Sequence, residues 1–216
     1  MSFALKRHSG TLFVLAAPSG GGKSTVLRAL LERVEGLAYS VSATSRKPRP
    51  NEREGVDFHF VSVEEFQDMI EHKAFYEWAQ VHGNLYGTRR DAVEKLLSQS
   101  LDVAMDIDVQ GARSIKGMRP DAVTIFLLPP SMAVLEHRLR KRGDEADDDV
   151  NLRLHNAADE IARCSLFDYI VVNDDLDHVI GEIRSIVTAE RLRSARQRLV
   201  MENEPAVEEE LRNMII

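Results

Sequence analysis

Short apolar runs alternate along the chain with longer amphipathic stretches. Residues 11–17, 37–42, 102–108, 122–128 and 168–173 are rich in β-branched or aromatic residues and bounded by breakers, which predicts five strands. Most of these runs are continuously apolar, the pattern of strands covered on both faces by helices. In residues 23–34, Val26, Leu27, Leu30, Leu31 and Val34 fall on one helical face, and Gly36 supplies a stop. Ser62-Val63-Glu64-Glu65 reads as a capping box opening a helix toward His72. Further helices are expected over 91–97 and 131–142, and a long one over 176–199. Strands alternating with helices predict an α/β fold built on a parallel sheet flanked by helices.

Two stretches break this rhythm. Residues 43–88 begin with a turn-rich, charged segment and continue with short alternating patches such as Phe58-His59-Phe60-Val61, as expected of a small inserted subdomain with its own strands. Residues 138–153 are dense in charge and read as a solvated excursion between two helices. The remaining segments, 1–42, 89–137 and 154–216, form the expected core.

Charge then narrows the function. The chain of 216 residues has a net charge of −7, which argues against a broad basic face for nucleic-acid polymers. The distribution is uneven: the first sixty residues carry 9 basic and 5 acidic side chains, the rest 19 and 30. Cys164 is the single cysteine, so no intrachain disulfide can form, and it reads as a small buried hydrophobe in a reducing compartment. No run approaches the length of a membrane span and no long apolar stretch opens the chain, so a cytoplasmic protein is expected. The seven histidines show no metal or triad spacing.

Ala17-Pro18-Ser19-Gly20-Gly21-Gly22-Lys23-Ser24-Thr25 joins the first predicted strand to the first predicted helix. Glycines there let backbone N–H groups converge on an anion at a helix N-terminus. Lys23 can reach β- and γ-phosphates, and Ser24 or Thr25 can offer a hydroxyl to Mg²⁺. Only Ala17 departs from the G-x-x-x-x-G-K-[ST] pattern, and alanine is the smallest substitute. The pattern predicts a P-loop NTPase-type sheet binding ATP. A partner carboxylate is expected at the end of another buried strand; Asp106 fits, placed to hold Mg²⁺ directly or through water. Asp108, two residues on, shares its sheet face.

A second anion-binding loop follows. Arg46 and Arg49 stand three apart in a proline-stiffened segment suited to gripping a phosphate. Here the chain resembles the guanylate kinase family. Thr44, Ser45, Arg46, Arg49, Glu52, Gly55, Phe58 and Phe60 match its signature, and the resemblance continues through Glu77-Trp78-Ala79-Gln80, residues 83–88, residues 106–111 and residues 172–176, covering about 10–190.

The resemblance implies MgATP and GMP giving ADP and GDP, on a core with a GMP-binding subdomain and a small lid. By position, Arg46, Arg49 and Tyr86 would hold the GMP phosphate, with Phe58 beside them where many members carry tyrosine. Ser42, Glu77, Thr88 and Asp108 would read the guanine. Chemistry agrees for Glu77, because guanine presents N1–H and N2–H₂ as adjacent donors to an acceptor-only carboxylate. Arg138, Arg142 and Arg153 would be lid arginines closing on the transferring phosphoryl group, and Asn173 would lie on the adenine side of the ATP site.

Three rivals remain. Another nucleoside monophosphate kinase would lack the guanine-reading set, and a non-catalytic scaffold module of the same fold would tend to lose the phosphate loop. A plain ATPase would not explain the second anion loop. The apolar stripe Ile180, Ile183, Val187, Leu192 and Leu199 could cover the sheet or reach a partner subunit, which leaves a homo-oligomer open.

Overall fold

The computed structural model describes residues 2–7, 9–81, 83–141 and 147–202. Its centre is a five-stranded sheet in the order β10-β9-β2-β8-β3, comprising β2 (Leu12–Ala16), β3 (Leu37–Tyr39), β8 (Asp102–Ile107), β9 (Val123–Leu128) and β10 (Tyr169–Val172). Every pairing in it is parallel, as the continuous apolar runs predict. All five predicted strands exist, but one is shorter than expected: β3 stops at Tyr39, and the last three residues of the run, Ser40 to Ser42, lie beyond it.

Helices cover both faces. On one, α1 (Lys23–Arg33) and α7 (Leu176–Arg191) bury Val26, Leu27, Leu30, Val179, Ile180, Ile183 and Val187 against Phe13, Leu15 and Ile125. The stripe of α7 therefore covers the sheet. On the other, Val93 and Leu97 of α3 (Arg90–Ser98) and Ala112 and Ile115 of α4 (Val109–Met118) meet Leu12, Val14, Val103 and Met105. Truncating a fully buried residue such as Phe13 to alanine costs about 3–5 kcal/mol.

A separate four-stranded sheet, order β5-β4-β7-β6, contains β4 (Ala43–Thr44), β5 (His59–Phe60), β6 (Phe75–Val81) and β7 (Asn84–Arg89). It packs on α2 (Val63–Glu71) through Phe66, stacked on Phe75 with ring centroids 4.4 Å apart. The capping box of α2 is present in both directions: Ser62 accepts from the Glu65 N–H, and Glu65 accepts from the Ser62 N–H. Beyond the core, α5 (Met132–Arg140) and α6 (Asp147–Ile161) pack through Leu135, Leu139, Val150 and Ala157.

Three expectations are corrected. The C-terminal helix ends at Arg191 rather than running to 199, and residues 197–202 form β11 (Gln197–Glu202), antiparallel to β1 (Ser2–Arg7). The cause is tertiary. Arg191 donates to the fully buried Asp102 at 2.7 Å, Arg7 pairs with the same carboxylate, and Glu190 accepts from Tyr169 and Arg196. These ties capture the end of the helix where neither glycine nor proline stops it. The helix α4 also went unpredicted, because Asp108 was read as chemistry and not as an N-cap. Cys164, in a short 3₁₀ turn, is half-buried rather than fully enclosed.

Candidate functional site

The loop from β2 into α1 lies at the carboxyl edge of the sheet, where ligands of open α/β folds bind. Gly20 and Gly22 have φ of +81° and +91°, conformations that side chains other than glycine rarely adopt. Gly22 is the N-cap of α1 and brings no side chain to its first-turn N–H groups, which are left to face an anion. The loop is braced from three elements. Leu135 and Leu139 of α5 press on Gly20, close enough that an added Cβ would lie 2.8 Å from Leu139. Asn173, after β10, donates from Nδ2 to the Gly21 carbonyl at 2.6 Å. From α6, Arg153 donates to the Ser19 hydroxyl at 2.7 Å.

Lys23 donates to the Ile107 carbonyl at 2.8 Å, at the tip of β8. Burial lowers its pKa, opposed by Asp106, Asp108 and Glu160. Asp106 stands beside Leu15 in the register of β2 and β8, and burial raises its pKa against the pull of Lys23. Ser24 and Thr25 are exposed at the start of α1. A hydroxyl and a carboxylate are hard oxygen donors, the set that Mg²⁺ takes when phosphates and water complete its shell. Asp108 caps α4, accepting from the Gly111 N–H at 2.6 Å, which leaves its other oxygen for the cleft.

Across the cleft, the second sheet presents the Arg46 loop. Glu52 receives Arg46 Nη2 on both oxygens, at 2.8 and 3.0 Å, and the Arg49 N–H at 2.8 Å. The Arg46 guanidinium holds the Glu52 carboxyl below its ordinary range. Arg46 lies over Phe58, 5.5 Å from the ring centroid, and Phe58 meets Tyr86 edge-on at 5.9 Å. Arg46, Phe58 and Tyr86 are thus brought together, while Arg49 is exposed at the loop rim.

Glu77 is set by a register irregularity in β6 between Phe75 and Glu77, which brings it opposite Thr88. The buried Thr88 hydroxyl donates to Glu77 Oε1 at 2.7 Å, fixing the carboxylate. Burial raises the Glu77 pKa, opposed by Thr88. A cavity of about 460 Å³ beside Glu77 and Asp108 opens between β6 and α4. Ser42 lies just before β4, half-buried near Tyr39.

The three arginines expected in a lid differ. Arg138 donates from Nη2 to the Asn173 carbonyl at 3.2 Å, and its Nη1 is buried near Gly22 with no hydrogen-bond partner among the described residues. Arg153 rests on Ser19. Arg142 lies outside the described residues. Asn173, expected on the adenine side, is buried with its amide spent on the phosphate loop.

Three residues were missed by sequence reasoning. Glu52 fixes Arg46, and its place in the signature was the available signal. Glu160, seven residues after Arg153 and so on the same face of α6, is raised in pKa by burial and drawn back by Lys23 and the Ser19 N–H. Tyr39 donates to Asp106 Oδ1 at 3.3 Å, and burial pushes its phenol up to about 12, so it stays protonated. Only the adjacency of β3 and β8 could have disclosed it.

The chain is similar to known proteins over most of its length. The family described as guanylate kinase matches residues 9–190. A guanylate kinase of Xylella fastidiosa is 47% identical over 190 residues, 88% of this chain and 93% of its own. One from Carboxydothermus hydrogenoformans is 41% identical over 189 residues, covering 88% and 93%. The crystal structure of guanylate kinase from Anaplasma phagocytophilum superposes with a TM-score of 0.70 at 36% identity, over 90% of this chain and 92% of that one.

Proposed function

The chain belongs to the guanylate kinase family, an ATP:GMP phosphotransferase, and from this premise we propose how its own residues carry the γ-phosphoryl group of ATP to GMP. The observation that supports the residue assignment is that the two sheets meet at one place: Glu77 of the second sheet shares a cavity with Asp108, and its carboxyl feels Asp106, the neighbour of Lys23.

The phosphates of ATP rest on the loop N–H groups of residues 20–25 with Lys23 on the β- and γ-oxygens. Ser24 and Asp106 would hold Mg²⁺, which would supply positive charge to offset that of the phosphates. Arg46, aimed by Glu52, grips the GMP phosphate together with Arg49 and Tyr86, and Phe58 supports the Arg46 plane. Glu77 accepts the guanine N1–H and N2–H, with Thr88 orienting it; Ser42 donates to O6 and Asp108 completes the pocket. No enzyme nucleophile or strong base is needed, since a phosphate monoester with a second pKa of about 6 is largely dianionic at neutral pH. One of its oxygens bonds to the γ-phosphorus while the bond to the β,γ-bridging oxygen breaks, leaving ADP and GDP. Arg138, Arg142 and Arg153 spread positive charge around the transferring group, and closure excludes the water that would hydrolyse ATP.

Residues 43–88 are read as the GMP-binding part, 138–153 as the lid and the remainder as the core. Among the described residues no helix is long and apolar enough to cross a membrane. We read the enzyme as cytoplasmic, with nucleotides rather than nucleic-acid polymers as its partners. A nucleotide panel with MgATP tests the reading. GMP is turned over far faster than AMP or UMP; equal or faster turnover of either contradicts it.

A further inference from the structure

Tyr39 is the last residue of β3, paired with Ala104 of β8, so its side chain rises on the sheet face that carries Asp106 two residues further on. Its hydroxyl donates to Asp106 Oδ1 at 3.3 Å. A phenol has one hydrogen to give, and here it goes to Asp106. The ring itself packs against the core cluster of β2, α1 and α7, a task phenylalanine performs equally well. The hydroxyl is therefore not explained by packing.

We propose that Tyr39 is a positioning residue: by pinning Asp106 Oδ1, it turns the other carboxylate oxygen toward the divalent cation that accompanies ATP. The inference rests on Asp106 facing that cation. Hydrogen bonds that orient a ligating carboxylate are worth about 10–100-fold in metal affinity when removed. Tyr39 ends an edge strand of the core, three residues before Ser42 and the second sheet, so it stands between the guanine side of the cleft and its metal side.

Tyr39→Phe and Asp106→Asn, compared with the parent protein, test this. Mn²⁺ binding to the ADP-loaded protein, followed by electron paramagnetic resonance, reports the cation without turnover. In Tyr39→Phe the Mn²⁺ dissociation constant rises about tenfold, while ADP affinity in the presence of a chelator is unchanged. In steady-state assays the Mg²⁺ concentration giving half-maximal rate rises with it, and kcat at saturating Mg²⁺ is retained. Unchanged Mn²⁺ affinity in Tyr39→Phe, with Asp106→Asn weakened, overturns the role of Tyr39 alone. Unchanged Mn²⁺ affinity in Asp106→Asn removes Asp106 from the metal site and the proposal with it. An equal loss of ADP affinity with and without cation marks a packing defect and overturns it as well.

Discussion

Asn173 and Gly21, 152 residues apart in sequence, are joined by a hydrogen bond of 2.6 Å from the Asn173 side chain to the Gly21 carbonyl. The bond closes the phosphate loop onto the end of β10, and the Asn173 carbonyl in turn receives Arg138. One strand-end residue therefore holds both the cradle and an arginine expected to close over it.

Asn173→Ala leaves the Gly21 carbonyl without its partner, at a cost of about 1–3 kcal/mol. The variant is expected to unfold at lower denaturant concentration and to show a raised KM for ATP, with KM for GMP unmoved. Chemical denaturation and two-substrate kinetics check this; an equal rise in both KM values contradicts a local role.

Glu77 carries a pH signature. Burial lifts its carboxyl above the ordinary value of 4.5, and guanine needs the ionised form. GMP affinity should accordingly weaken as pH falls through the raised value, before an ordinary glutamate would titrate. Stability has the opposite sign. An acid whose folded pKa is raised favours the fold below its unfolded value and loses that contribution as pH rises through the folded one. Glu77→Gln is thus expected to melt higher than the parent at neutral pH and alike in acid, while its preference for GMP over AMP drops markedly. Calorimetry and the ratio of kcat/KM values read the two effects separately; an unchanged preference removes Glu77 from base recognition.

Glu52 touches no substrate in this account, yet it fixes the Arg46 guanidinium and the Arg49 N–H. Glu52→Gln weakens a charge-assisted bond, and KM for GMP is expected to rise about tenfold. KM for ATP should stay within experimental scatter, and initial-rate kinetics with each substrate varied decide it.

The glycine loop, Lys23, Asp106 and the Arg46 segment were legible in sequence because each is a contiguous pattern whose chemistry is local. The five core strands were legible for a similar reason, as continuous apolar runs. What escaped depends on contacts between distant residues. The end of α7 is decided by Asp102, nearly ninety residues away from Arg191, so the helical stripe carried the expectation on through Leu199. The ribbon of β1 and β11 joins the two ends of the described chain and leaves only weak alternation in either segment. Tyr39 acquires meaning only when β3 lies beside β8, and Glu160 only when α6 lies on Ser19.

Direct transfer between the two anion sites is the central claim, and stereochemistry at the γ-phosphorus tests it most directly. ATP made chiral at that phosphorus with oxygen isotopes, reacted with GMP, should give GDP whose β-phosphorus has inverted configuration, the outcome of a single in-line displacement. Retention would mean two displacements through a phosphorylated side chain, and would contradict a site in which Lys23 and Arg46 do no more than hold and steer the two phosphates.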